Sequence, residues 1–283
     1  MNLYSIQAGN FRLDGGAMFG VVPKSIWQKL LPADSNNTIP ICARCLLVED
    51  DNKLILIDTG MGDKQSEKFF SYYYLWGEDT LLSSLKKHGF SPDDVTDVFL
   101  THLHFDHCGG GIKKTGEKSF ETTFKNATYW SNKKHWDWAT SPNIREAASF
   151  LSENILPIKK SDQLAFINDK SDGYLSETTL GFDVLVVDGH TEKQMIPIIN
   201  YKNQKIAFAA DLVPTVSHIA IPYITSYDTR PLVSMREKDV FLSFCYENNI
   251  FLYFEHDPNI ELCALKKTNR GVGFSDKLNL NEL

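Results

Sequence analysis

Residues 101–111, THLHFDHCGGG, place three imidazoles and a carboxylate within six positions, and no other feature of the chain restricts its fold as much. Four such groups are costly to bury together without a cation to hold them. Residues two apart in an extended segment point the same way, so His102 and His104 can grip one cation jointly. The chain must then turn toward Gly109, Gly110 and Gly111, which lets Asp106 and His107 face a neighbouring cation. Imidazole with carboxylate suits zinc, iron or manganese, whereas a structural zinc site would be richer in thiolate.

The surrounding sequence supplies a frame for such a cluster. Short apolar runs at 41–50, 53–60, 97–102, 182–190, 205–211 and 250–256 read as buried strands from their length and β-branched content. Amphipathic segments at 78–88, 141–155 and 235–249 read as helices between them. Sheets flanked by helices, an α/β architecture, are therefore expected. The strands end at Asp58, His102, His190, Asp211 and His256, and strand ends in layered folds deliver side chains to one rim. No linker composition and no short repeat divides the chain, so residues 1–283 are expected to form a single domain of two similar halves meeting near 160.

Composition narrows the classes of partner. An apolar fraction of 42% with 23% charged residues belongs to a folded chain with a sizeable core. A net charge of −7 offers no broad footprint for a phosphate backbone, so no nucleic-acid partner is expected. The opening MNLYSIQAGNFRLDGG lacks a basic region followed by an apolar run, and no stretch approaches the ~18 apolar residues of a span. The expectation is a cytoplasmic chain with no membrane association. Five cysteines do not suggest a disulfide framework. Cys42 and Cys45 form a lone C-x-x-C, read as small apolar residues of a buried strand ahead of half a zinc site or a redox pair.

HLHFDH resembles the H-x-H-x-D-H signature of the metallo-β-lactamase superfamily, and later elements arrive in that family's order: DTG at 58–60, GHT at 189–191, AAD at 209–211 and FEH at 254–256. The resemblance implies a four-layer αβ/βα sandwich. It implies two divalent metal ions per chain, zinc first with manganese or iron as alternatives. One would be held by His102, His104 and His190, the other by Asp106, His107 and His256, with Asp211 bridging and Asp58 orienting a ligand from behind. Ions about 3.5–4 Å apart can share a hydroxide, which would attack an ester or lactone carbonyl of a small molecule. Asp106 is the expected proton carrier. Phosphotriester or thioester hydrolysis on the same site, or a mono-iron dioxygenase, are the alternatives, because fold alone does not name a reaction.

The remaining candidates are peripheral. His88 fits a helix C-terminus before Gly89, and His135 in KKHWDW reads as a surface or partner-facing residue. His218 follows Asp211 closely enough to reach a substrate. Met18, Phe19, Val21 and Trp27 lie in a segment resembling the entrance loops of lactonase and organophosphate-hydrolase members, where they form either an apolar pocket wall or packing against outer helices. Lactonases of the quorum-quenching branch tend to carry a Tyr three residues after the bridging Asp, where this chain has Pro214; Tyr223 or Tyr227 are the candidate substitutes. GHTEKQM also lacks the second histidine of the common GHTPGH form. KFFSYYYLWG at 68–77 holds six aromatics in ten residues, a density suited to a homodimer interface or a substrate wall, with a core helix as the competing account.

Overall fold

The computed structural model describes residues 1–167, 173–175 and 178–283, which form two compact units. The first comprises Met1–Asn10 and Ala43–Lys170, the second Phe11–Cys42 and Ser171–Leu283. No helix among the described residues is long and apolar enough to cross a membrane.

The first unit is built on a six-stranded mixed sheet. Its chain-order elements are β1 (Asn2–Asp14) as far as Asn10, β2 (Thr38–Asp50) from Ala43, β3 (Lys53–Ile57), β4 (Asp97–Phe99), the hairpin β5 (Ile112–Lys114) and β6 (Phe120–Thr122), then β7 (Thr128–Ser131) and β8 (Leu164–Phe166). The sheet order is β1-β2-β3-β4-β7-β8. β2 and β3 form a hairpin whose two-residue loop is Asp51-Asn52, closed by the Asp50–Lys53 pair. Asp51 takes φ +50°, the left-handed conformation such loops favour. β3, β4, β7 and β8 then run parallel, and their residues Leu54, Leu56, Val98 and Tyr129 belong to one buried cluster with Leu100, Leu103 and Phe124.

The helices differ in extent from the sequence expectation. Leu81–Lys87 forms within 78–88, capped by Thr80 and Ser83 and ending at His88 as expected. Within 141–155, only Ser152 onward is helical, as part of Ser152–Lys160. The reason is local chemistry: the Asn143 side chain accepts the amides of Arg145 and Glu146 (2.9 and 3.1 Å), a turn that competes with helical bonding. β1, at 13 residues, was not anticipated, because its burial alternates only loosely.

The second unit carries a seven-stranded sheet of β9 (Tyr174–Leu175), β10 (Asp183–Val187), β11 (Gln194–Tyr201), β12 (Gln204–Phe208), β13 (Ile250–Tyr253), β14 (Leu262–Thr268) and β15 (Gly271–Leu278). Its order is β15-β14-β13-β12-β11-β10-β9, antiparallel except for the β12–β13 pair. The helix Pro231–Glu247 is the crossover between those two parallel strands. Phe19 and Trp27 are buried, with Phe19 stacked on Trp27 at 5.2 Å and on His218 at 4.6 Å. These rings and Met18 are buried, as the packing alternative requires, while Val21 is exposed.

The three glycines after the histidine cluster have a steric cause. A Cβ on Gly109 would lie 2.0 Å from the Met61 carbonyl oxygen, and one on Gly110 would lie 2.1 Å from that of Thr59. The segments 58–62 and 107–111 therefore run backbone against backbone, joined by Thr59 N to His107 O (2.7 Å), Gly110 N to Gly60 O (2.9 Å) and Gly111 N to Thr59 Oγ1 (2.9 Å). Gly110→Ala should cost about 1–3 kcal/mol or more, because neither backbone can retreat without losing these bonds. Gly116→Ala, where the nearest atom is a side-chain carbon at 3.4 Å, should be close to neutral. Urea denaturation of the two variants checks the contrast; equal stabilities would refute it.

Candidate metal centre

Four of the expected ligands share one placement. His102, His190, Asp211 and His256 each lie three residues beyond the end of a strand, after Phe99, Val187, Phe208 and Tyr253. The strands stop earlier than the apolar runs suggested, and the short tails beyond them carry the side chains.

In the first unit, β4 ends at Phe99, whose carbonyl accepts the Asp58 amide (2.9 Å). Asp58 follows β3 directly with φ +57°, a conformation costly for a residue with a Cβ. It accepts the Thr101 amide (2.8 Å), the Thr101 hydroxyl (2.7 Å) and His107 Nδ1 (3.0 Å). Beyond Thr101, Leu103 joins the core while His102 and His104 lie on the opposite side, the alternation of an extended segment. His104 then precedes the one-turn helix Phe105–Cys108, which carries Asp106 and His107.

The hydrogen bonds around these imidazoles define their tautomers. The Thr101 hydroxyl donates to Asp58, so at 3.0 Å it accepts from His102 Nδ1, leaving Nε2 as a lone pair. Glu146 Oε1 accepts from His104 Nε2 at 3.3 Å, leaving Nδ1 as a lone pair. Asp58 accepts from His107 Nδ1, leaving its Nε2, 4.0 Å from Asp106 Oδ1. The His102 and His104 lone pairs face one another at 3.1 Å. Two lone pairs so placed favour a proton or a metal cation between them, and donors ~2.0–2.1 Å from a tetrahedral zinc are ~3.3 Å apart.

In the second unit, β10 leads into Asp188, Gly189 and His190. Both backbone amides before His190 donate to the Glu237 carboxylate (2.8 Å each), and a Cβ on Gly189 would sit 2.3 Å from Ser234. The helix Pro231–Glu247 thus holds this tail closely. His190 Nδ1 donates to Asp228 Oδ1 (3.0 Å), and His256 Nδ1 donates to the Cys42 carbonyl (2.8 Å). Their Nε2 atoms then lie 3.1 and 3.0 Å from the two oxygens of Asp211. Asp211 follows Ala210 at φ +41°, and its amide reaches the Gln194 side-chain oxygen (2.9 Å). Lone pairs facing carboxylate oxygens again call for a positive charge. Burial pushes the His190 imidazole down, but Asp211 and Asp228 outweigh it and hold it up at about 10, so these two carboxylates favour positive charge at this ring. The donor set therefore fits a divalent metal.

Other candidates are placed as follows. His135 is buried, its Nε2 accepting the Leu103 amide (2.8 Å), which corrects the surface reading: it props the segment between His102 and His104. His218 is buried with Nε2 donating to Met18 O (2.9 Å) and Nδ1 accepting from Thr215 (2.8 Å). Burial pushes it down to about 4, and both ring nitrogens are engaged within the protein. Tyr223 is half-buried and edge-on to Phe19, while Tyr227 is 40% exposed. Cys42 and Cys45 are buried and form no disulfide, and, three apart in β2, they lie on opposite faces of the strand. Sequence reasoning missed Asp228 and Glu146, which sit in turns far from the histidines in sequence and carry no local signal.

The architecture and the ligand chemistry define a metal-binding α/β protein with two large mixed sheets. A model of the metallo-β-lactamase superfamily matches residues 43–242, and the chain belongs to that superfamily and has its fold, as HLHFDH suggested. An N-acyl homoserine lactonase of Bacillus thuringiensis is 34% identical over 118 residues. The match takes in 38% of this chain and 43% of that protein, less than half its length. A probable metal-dependent hydrolase from Staphylococcus aureus superposes with a TM-score of 0.86 at 27% identity, over 98% of this chain and 96% of that one. AidC, a dizinc quorum-quenching lactonase, superposes with a TM-score of 0.75 at 25% identity, over 98% and 95%.

Asp228 gives a test of the tautomer argument. Asp228→Asn can present an N–H to His190 Nδ1 and favour the wrong tautomer, so zinc retention against a chelator should fall about 10–100-fold. Retention equal to that of the wild type would contradict the role.

Proposed function

We propose that the protein is a metal-dependent hydrolase that cleaves an ester or lactone bond of a small molecule. The observation that carries this reading is Asp211, whose two carboxylate oxygens each lie about 3 Å from a different, outward-anchored imidazole, His190 and His256. A carboxylate addressed from both sides is what a bridging ligand requires. We assign His102, His104, His190 and Asp211 to one divalent cation and Asp106, His107, His256 and Asp211 to a second. Zinc is the first choice from the imidazole and carboxylate donors, and it agrees with the dizinc character of AidC. Divalent ions held there would supply Lewis acidity and an activated water at neutral pH.

The chain's own residues do the rest. Asp58, Glu146 and Asp228 keep the outer nitrogen of three imidazoles protonated, so the inner nitrogen stays a donor to metal. Asp106 lies beside His107 Nε2 and is 14% exposed, which lets it exchange a proton with a leaving alcohol. The lactonase names of the relatives favour a lactone as substrate. Pro214, where such lactonases tend to have Tyr, argues for a substrate other than the acyl-homoserine type.

Asp211→Ala should lower metal content at both positions and abolish turnover, whereas His256→Ala should mainly lose one ion. The measurements are metal stoichiometry and rates across lactones, thioesters, aryl esters and phosphotriesters. Two tightly bound ions and normal turnover in Asp211→Ala would contradict the assignment.

We propose also that the segment 68–77 supports self-association. Phe69 packs on Tyr73 and Phe105, but Tyr72, Tyr74, Leu75 and Trp76 remain 45–63% exposed, a costly apolar patch. Light scattering at micromolar concentration should report a dimer that Trp76→Lys weakens; a monomeric wild type would contradict it.

A further inference from the structure

The helix Pro231–Glu247 carries a lysine with no exposed surface at all, Lys238. Its Nζ donates to three main-chain carbonyls, those of His218 (2.9 Å), Ala220 (3.1 Å) and Tyr223 (2.8 Å). Three acceptors match the three N–H bonds of an ammonium; a neutral amine would turn a lone pair toward one of them. Burial works against the charge and pushes the group down to about 7, with Asp228 pulling the other way. An ammonium kept in such a place at that cost has something to hold.

What it holds is the loop between two residues of the candidate centre. The loop continues beyond Asp211 and, five residues beyond Tyr223, delivers Asp228, which anchors His190 Nδ1. Thr225 donates to the same Asp228 oxygen (2.8 Å). The loop is otherwise tied at its flanks, by Val216 N to Asp257 Oδ2 (3.0 Å), His218 Nε2 to Met18 O (2.9 Å) and Ser226 N to Ala17 O (2.7 Å), while its 220–224 stretch has the short-range pairs Tyr223 N to Ala220 O and Ile224 N to Pro222 O. Charge-assisted bonds from one buried point exceed such turns in strength.

We propose that Lys238 is a positioning residue, a buried cationic clamp that fixes the 218–223 loop and through it the Asp228 carboxylate behind His190. The loop-fixing half stands alone; its consequence for metal retention rests on the hydrolase reading above.

The test compares wild type with Lys238→Met, which keeps volume and loses the charge, and Lys238→Arg, which keeps charge but replaces three divergent donors by a planar fork. Hydrogen exchange is followed at Tyr223, Ile224 and Ser226 amides and, as a reference, in β12 and β13, alongside zinc loss to a chelator. In Lys238→Met the loop amides should exchange roughly tenfold faster or more, given what bonds to a charged donor contribute, while the reference strands keep their protection. Zinc loss should accelerate in Lys238→Met, with Lys238→Arg intermediate in both readouts. If Lys238→Met cannot be purified folded, Lys238→Arg carries the comparison by the same criterion. Loop exchange equal to wild type, or a uniform rise across loop and strands, would overturn the clamp. A wild type that binds no zinc would fail the hydrolase reading while leaving the exchange result to decide the clamp.

Discussion

The first unit's share of the ligands depends on one carboxylate. Asp58 ends β3 and ties together Thr101, at the end of β4, and His107, on the following helical turn. By accepting the Thr101 hydroxyl it also obliges that oxygen to accept from His102, so a single buried acid determines the tautomers of two imidazoles. Its left-handed backbone is a local cost that three charge-assisted bonds offset. The close approach of segments 58–62 and 107–111 follows from the same contact, and with it the need for glycine at 109 and 110.

The second unit solves the same problem with other partners. Asp228 and the Cys42 carbonyl take the outer nitrogens of His190 and His256, and Asp211 meets both inner nitrogens. In both units the imidazoles give one nitrogen to a partner in the protein and turn the other toward the remaining ligand-type side chains. The converging nitrogens and the Asp211 carboxylate therefore favour positive charge among them, which a divalent cation would supply.

Much of this was legible in the sequence because it is local. The cluster at 101–111 announced its ligands, and apolar runs ending in Asp or His located the strand tails to within about three residues. The outer partners were not legible. Glu146 and Asp228 lie 42 and 38 residues from the histidines they anchor, and only the fold brings them together. The helix expected over 141–155 failed for a related reason: Asn143 turns the chain so that Glu146 reaches His104. His135 looked accessible from its polar neighbours and His218 was placed by its closeness in sequence to Asp211; both are buried, each bonded to a main-chain segment from within. Lys238 gave no signal, since a lysine in an amphipathic helix ordinarily faces water.

The central claim is that these side chains are assembled to hold two divalent cations with Asp211 between them. It is tested most directly by anomalous diffraction at the zinc edge from crystals of the zinc-loaded protein. The account predicts two peaks about 3.5–4 Å apart, each within bonding distance of one Asp211 oxygen, with His190 at one and His256 at the other. A single peak, or two peaks with Asp211 turned away from them, would contradict it.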